Sequence, residues 1–205
     1  RSFRAVNIDW DELGPNNVAG RTRAVMFDPN DTDGKKFWAG GVTGGLWYTD
    51  DITSSDPLWN KIDDFWDNIA VSCISYDPTN TQIFYVGTGE IFTNDIRGFG
   101  IWKTTDGGNT WTRLSSTNDF YWVNDIVVRN ENGNGVVYAA AGMRYYEGSW
   151  HYGDRGMLRS TDGGNTWSQV WSGSGSTLFQ PSDLEIDAEN NLWAGTRNNA
   201  WGDGG

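Results

Sequence analysis

The residues first weighed for chemistry are aspartates that recur at a fixed interval. Asp106 lies in Lys103-Thr104-Thr105-Asp106-Gly107-Gly108-Asn109-Thr110-Trp111. Asp162 lies in Arg159-Ser160-Thr161-Asp162-Gly163-Gly164-Asn165-Thr166-Trp167, 56 residues on. A further 56 residues back is Asp50, in Leu46-Trp47-Tyr48-Thr49-Asp50-Asp51, with Trp59 after a longer turn. Such an aspartate accepts hydrogen bonds from backbone N–H groups a few residues on. The paired glycines supply positive φ without strain. Thr110 and Thr166 restart the strand, being β-branched. Trp111 and Trp167 cover the turn with apolar area. A catalytic carboxylate is unique to its site, whereas these recur. Asp50, Asp106, Gly108, Trp111, Asp162, Gly164 and Trp167 are therefore read as structural staples.

The remaining reactive side chains are few. Cys73 is the single cysteine, in the apolar run Ala70-Val71-Ser72-Cys73-Ile74. It reads as a small buried hydrophobe, and no internal disulfide can form. His151 is the single histidine and reads as a loop residue; its neighbours give no Cys/His or Ser/His pair. Asp28-Pro29-Asn30-Asp31-Thr32-Asp33-Gly34 is dense in oxygen ligands. It lacks glycine at the sixth position and has Ala39 at the twelfth, where a calcium loop carries Glu. It reads as a strand turn. No catalytic residue, no metal site and no cofactor are assigned.

The elements around these turns repeat as well. Phe27-Asp28-Pro29-Asn30 precedes Phe37-Trp38-Ala39-Gly40, and Tyr76-Asp77-Pro78-Thr79 precedes Phe84-Tyr85-Val86-Gly87. Val127-Val128-Arg129-Asn130 precedes Val137-Tyr138-Ala139-Ala140, and Ile186-Asp187-Ala188-Glu189 precedes Leu192-Trp193-Ala194-Gly195. Each pair reads as strand, polar turn, strand. The acidic turn joins a third strand to a fourth. Four strands in roughly 50 residues make a propeller blade. The predicted fold is all-β: a partial β-propeller of four-stranded antiparallel blades, one domain over 1–205. Blade one is 19–64, blade two 67–116, blade three 120–172, and a partial blade four runs 178–205. Three and a half blades do not close a ring of 4–8. The missing blades are expected from the rest of the polypeptide or from another chain.

Composition sets the outer bounds. The 205 residues carry 15 Lys and Arg against 27 Asp and Glu, a net charge of −12. Thirteen Trp, 8 Tyr and 9 Phe exclude a disordered acidic tail. The acidic balance argues against a nucleic-acid partner, which needs a basic stripe. No apolar run reaches the roughly 20 residues of a membrane helix, so no transmembrane segment is predicted.

Blade geometry sorts the loops. Connections between second and third strands, and between one blade and the next, emerge opposite the acidic turns. Two of them are long: 90–99 in blade two, and Met143 to Arg155 in blade three. The blade-to-blade loops add Phe65-Trp66, Phe120-Tyr121-Trp122 and Phe179; Trp66 and Trp122 read equally as core between blades. Long loops rich in rings and charges are where binding concentrates. The ligand-binding candidates are Arg97, Arg144, Tyr145, Tyr146, Trp150, His151 and Tyr152.

Thr104–Trp111 and Ser160–Trp167 resemble the Asp-box, or BNR repeat, of sialidase-like and sortilin-like propellers. Leu13-Gly14-Pro15-Asn16-Asn17-Val18-Ala19-Gly20-Arg21, followed by Gly44-Gly45-Leu46-Trp47, resembles secreted bacterial BNR propellers, many of which carry a C-terminal type IX sorting domain. The layout is also similar to xyloglucanase-type glycoside hydrolases and to a photosystem assembly factor. The xyloglucanase resemblance implies a catalytic Asp in a Thr-Asp-Val-Gly-Gly-Ala-Tyr-Arg stretch. The matching Gly41-Val42-Thr43-Gly44-Gly45-Leu46-Trp47-Tyr48 places Val42 there, and a valine moves no proton. The sialidase resemblance implies a Phe/Tyr-Arg-Ile-Pro motif; Ser2-Phe3-Arg4-Ala5 lacks the proline. The leading expectation is a secreted or cell-surface, non-catalytic propeller that binds a glycan or protein through its long-loop face. The alternatives are a glycoside hydrolase fragment, xyloglucanase- or sialidase-like, with catalytic residues partly outside this chain, and a scaffold propeller.

Overall fold

A computed structural model describes residues 21–62, 66, 70–90, 96–142, 144–146, 149–151, 155–171 and 179–198. Blade one holds β1 (Thr22–Phe27), β2 (Phe37–Gly41), β3 (Gly45–Thr49) and β4 (Asn60–Lys61). Blade two holds β5 (Val71–Asp77), β6 (Asn80–Thr88), β7 (Ile101–Thr104) and β8 (Thr112–Arg113). Blade three holds β9 (Val123–Glu131) and β10 (Asn134–Ala141). A two-stranded ribbon of β11 (Arg144–Tyr146) and β12 (Ser149–His151) follows, then β13 (Gly156–Ser160) and β14 (Ser168–Trp171). A last hairpin pairs β15 (Phe179–Ile186) with β16 (Leu192–Asn198). The first three sheets are four-stranded, with strands in sequence order and antiparallel neighbours. The architecture is that of a partial β-propeller, and the helical turn Ser115–Thr117 is the one helical element among the described residues.

Local chemistry explains the hairpins. Asn132 (φ 56°) and Gly133 (φ 85°) both take positive φ between paired Glu131 and Asn134. That two-residue turn matches the right-handed twist of its strands. The first strands of successive sheets pack against one another. All four carry a register shift at one level, leaving Arg23, Ser72, Asn124 and Ser182 as bulged residues. Bulges of this kind bend a strand and re-aim a side chain.

The core lies between blades, not within them. Ala24, Met26, Trp38 and Leu46 of blade one meet Val71, Phe84 and Val86 of blade two. Cys73, Tyr85 and Ile101 of blade two meet Val123, Ile126 and Val137 of blade three. Tyr138 and Ala140 of blade three meet Leu184 and Leu192 of the hairpin. The inner strands of blades two and three therefore bury residues on both faces, which is why the chain needs so many rings and valines.

Two expectations are corrected here. Strand register aligns Thr49, Thr104 and Ser160, which pair with Phe37, Phe84 and Val137. The aspartate two residues on is Asp51 in blade one, not Asp50. Asp51 accepts the Thr53 N–H at 2.9 Å and the Thr53 hydroxyl at 2.5 Å. The fixed interval failed because the spacing is not constant: Thr49 to Thr104 is 55 residues and Thr104 to Ser160 is 56. Phe120, read as a loop-face aromatic, is buried, as are Trp66 and Trp122, for which the core reading holds. Trp66 stacks on Trp102 with centroids 4.4 Å apart, and Phe120 packs edge-on to Trp167 at 5.3 Å.

Candidate functional site

The two ends of the sheets differ in kind. Ser160 opens the turn of blade three at one end, opposite Val137. The β11–β12 ribbon is inserted between Ala141 and Gly156, which pair at the other end. The acidic turns and the long insertion thus lie at opposite ends of one sheet.

At the turn end the carboxylates are saturated from within. Asp106 accepts the Thr110 N–H (2.9 Å), the Thr110 hydroxyl (2.6 Å) and the Thr104 hydroxyl (2.7 Å). Asp162 accepts the Thr166 N–H (2.9 Å), the Thr166 hydroxyl (2.6 Å) and the Ser160 hydroxyl (2.8 Å). Hydrogen bonds to the charged form favour it, and both carboxyls are lowered to about 2. Trp111 and Trp167 fold over their turns, each indole donating to the glycine carbonyl three residues back. The acidic segment after β1 behaves alike. Asp28 accepts the Asn30 N–H and the Trp38 indole N–H, each at 2.9 Å. Asp31 accepts the backbone N–H groups of Lys35 and Lys36.

The opposite, loop-bearing end carries the candidate site. Glu90, two residues past β6, is buried and accepts from Arg21 at 2.9 Å and from Arg23 at 3.2 Å. Arg21 directly precedes β1, and Arg23 is the bulged residue of that strand. The pair of guanidiniums offsets the buried charge, so Glu90 anchors blade two to blade one. The base of the 90–99 loop is locked by backbone. Gly98 N–H donates to Tyr121 O at 2.6 Å, and Gly89 N–H to Ala70 O at 2.9 Å. A Cβ at Gly98 would stand 2.3 Å from Thr88 O, so only glycine passes there. That locking sets the Arg97 guanidinium 3.9 Å above the Tyr121 ring, a cation–π contact on the loop side.

Arg144 sits opposite His151 in the ribbon, Tyr145 opposite Trp150, and Tyr146 opposite Ser149. The ribbon therefore brings five of the predicted binding residues together as one hairpin. Tyr152 lies outside the described residues. Val42 is buried at the end of β2, its N–H donating to Arg21 O at 3.0 Å. It is packed structure at the place where the resemblance puts a catalytic acid.

Sequence reasoning missed Asp125. It follows the β9 bulge and accepts N–H groups from Ile126 (2.8 Å) and from Leu184 in the next hairpin (2.7 Å). Burial is the main cause that pushes its carboxyl up to about 6, with Asp183 and Glu185 adding repulsion. It ties blade three to the hairpin. The signal was Asn124-Asp125 inside an apolar strand. Burial pushes the Cys73 thiol up, away from the reactive thiolate.

The sheets and their order define a fragment of a β-propeller. No protein-family profile matches the chain. The chain is similar to the xyloglucanase Xgh74A of Acetivibrio thermocellus, 26% identical over 206 residues, covering 94% of this chain and 23% of that protein. It is similar to a xyloglucanase of Paenibacillus sp, 26% identical over 214 residues, covering 91% of this chain and 20% of that protein. The chain thus spans about a fifth of the length of the curated relatives it matches. Among solved structures, an ancestral GH74 enzyme superposes with a TM-score of 0.61 at 18% identity, over 87% of this chain and 22% of that one. The GH74 xyloglucanase of Xanthomonas campestris gives 0.60 at 15% identity, over 89% and 28%. The Niastella koreensis GH74 enzyme gives 0.56 at 17%, over 87% and 33%. At these identities the superpositions speak for the fold.

Proposed function

We propose that the chain is part of a propeller glycoside hydrolase acting on a xyloglucan-type polysaccharide, with its catalytic carboxylates at least partly outside these 205 residues. The carrying observation is the similarity to xyloglucanases along nearly the whole chain. This portion supplies glycan contacts through the loop-bearing end: Arg97 over Tyr121, and the ribbon of Arg144, Tyr145, Tyr146, Trp150 and His151; Tyr152, next in sequence, is proposed as a further contact. Ring faces stack on sugar C–H surfaces, while guanidinium and hydroxyl groups take sugar hydroxyls. A polymeric glucan does not cross a cell envelope, so the reading places the protein outside the cell, as a secreted or surface protein.

One observation favours a second reading, a non-catalytic glycan-binding propeller. Val42 fills the matching position of the catalytic acid, and hydrolysis needs two carboxylates flanking the bond. Reducing-end release from xyloglucan by the purified chain tests the first reading. The chain is expected to bind without cleaving. Cleavage well above blank by the chain alone would overturn the view that its catalytic set is incomplete.

A further inference from the structure

Arg97 sits between two pinned neighbours. On one side, Gly98 N–H donates to Tyr121 O at 2.6 Å. On the other, Glu90 and Ile96 exchange both backbone hydrogen bonds. Glu90 N–H donates to Ile96 O at 2.7 Å, and Ile96 N–H to Glu90 O at 3.0 Å. The first pin belongs to the entry into blade three. The second is only as fixed as Glu90 itself, and the place of Glu90 is set from blade one.

The Glu90 side chain is 2% exposed. Arg21 Nη2 donates to its Oε2 at 2.9 Å, while Arg23 Nη1 lies 3.3 Å from Oε1 and 3.2 Å from Oε2. Both carboxylate oxygens are engaged, so the plane of the group is fixed as well as its place. A buried ion pair is a poor source of stability, since well-packed apolar side chains do as well or better. Such a cluster can instead impose a single register. Arg21 also serves a second loop: its carbonyl accepts Val42 N–H at 3.0 Å. One residue of blade one thus ties its own loop after β2 to the loop after β6.

We propose that Glu90 is a positioning residue for the Arg97–Tyr121 contact. Clamped on blade one, its carboxylate fixes Ile96 through the backbone bridge, and Ile96 fixes the neighbouring Arg97 with its guanidinium 3.9 Å above the Tyr121 ring. A purely structural ion pair would join the blades and leave Arg97 where it is. The effect on ligand affinity rests on the reading that Arg97 and Tyr121 meet glycan. The effect on the position of Arg97 does not.

The test therefore has two arms, both on the 205-residue chain. In the first, NMR of the isotope-labelled chain reads the Arg97 δ-methylene protons, which the Tyr121 ring current shifts upfield; Tyr121→Ala marks the unshifted position. Glu90→Gln is expected to lose at least half of that shift, while the buried methyls of Val123 and Ile126 keep theirs. An unchanged Arg97 shift in folded Glu90→Gln would overturn the proposal. Should Glu90→Gln fail to fold, Arg21→Gln at a half-exposed side chain decides: partial loss of the shift is expected, and no loss would overturn the proposal. In the second arm, calorimetric titration with a xyloglucan oligosaccharide is expected to weaken about fivefold or more in Glu90→Gln. The double variant with Tyr121→Ala is expected to bind no worse than Tyr121→Ala alone, because Glu90 acts through that contact. Additive losses would overturn the positioning role. Absence of binding by the parent chain would instead sink the glycan reading and leave the NMR arm to decide the position of Arg97.

Discussion

Gly108 of blade two lies on the indole of Trp38 in blade one, so close that a Cβ would stand 2.3 Å from the ring. Its φ of +92° is in the left-handed region. Both the conformation and the contact demand glycine. Gly108→Ala is expected to cost about 2–4 kcal/mol, from backbone strain plus overpacking. Urea unfolding checks this, and loss below about 1 kcal/mol would mean the turn does not clamp the neighbouring blade.

Asp106 predicts a pH window. Its carboxyl is lowered to about 2 in the folded chain, first by the Thr110 hydroxyl, then by the Thr104 hydroxyl and the Thr110 N–H. A lowered carboxyl stabilises above the unfolded value near 3.9 and loses that contribution as pH falls toward 2. Asp106→Ala is expected to lower the melting temperature at pH 7 and to flatten its decline between pH 4 and 2. An unchanged acid limb would show that the aspartate is no staple.

Asp125 predicts the opposite slope. Its folded value of about 6 lies above the unfolded one, so the folded chain holds the proton more tightly. Its stability contribution is full below about pH 4 and fades as pH rises through 6, by about 3 kcal/mol in all. Asp125→Asn is expected to remove that slope. Denaturation at pH 4, 5, 6 and 7.5 checks it; parallel profiles for the two proteins would contradict the assignment.

Glu90 ties the first two blades at the loop end. Glu90→Ala leaves two guanidiniums without their buried acceptor and is expected to cost about 2 kcal/mol. Because the carboxylate is buried, 0.5 M salt should recover little of the difference. Full recovery in salt would mark it as a surface pair.

The acidic turns of blades two and three were legible because glycine, threonine and tryptophan hold fixed offsets within a few residues. The blade-one turn was not. It has no glycines, so counting 56 residues selected Asp50 where strand pairing selects Asp51. For Trp66 and Trp122 the sequence left loop face and core equally open, because only packing decides whether a ring in a blade-to-blade loop is buried. The Arg21–Glu90 and Asp125–Leu184 contacts span 69 and 59 residues. Nothing local in the chain announces them. The four aligned bulges were equally hidden, since a bulge is a property of pairing and not of composition.

The central claim is that glycan binds at the loop-bearing end and that the acidic turns only hold the blades. Calorimetric titration of the purified chain with a xyloglucan oligosaccharide tests it most directly, comparing Tyr121→Ala and Trp150→Ala with Asp106→Ala. The account predicts binding that weakens at least about tenfold in the first two variants, roughly 1.4 kcal/mol, and is unchanged in the third. No binding by the parent chain, or affinity lost in folded Asp106→Ala alone, would contradict it.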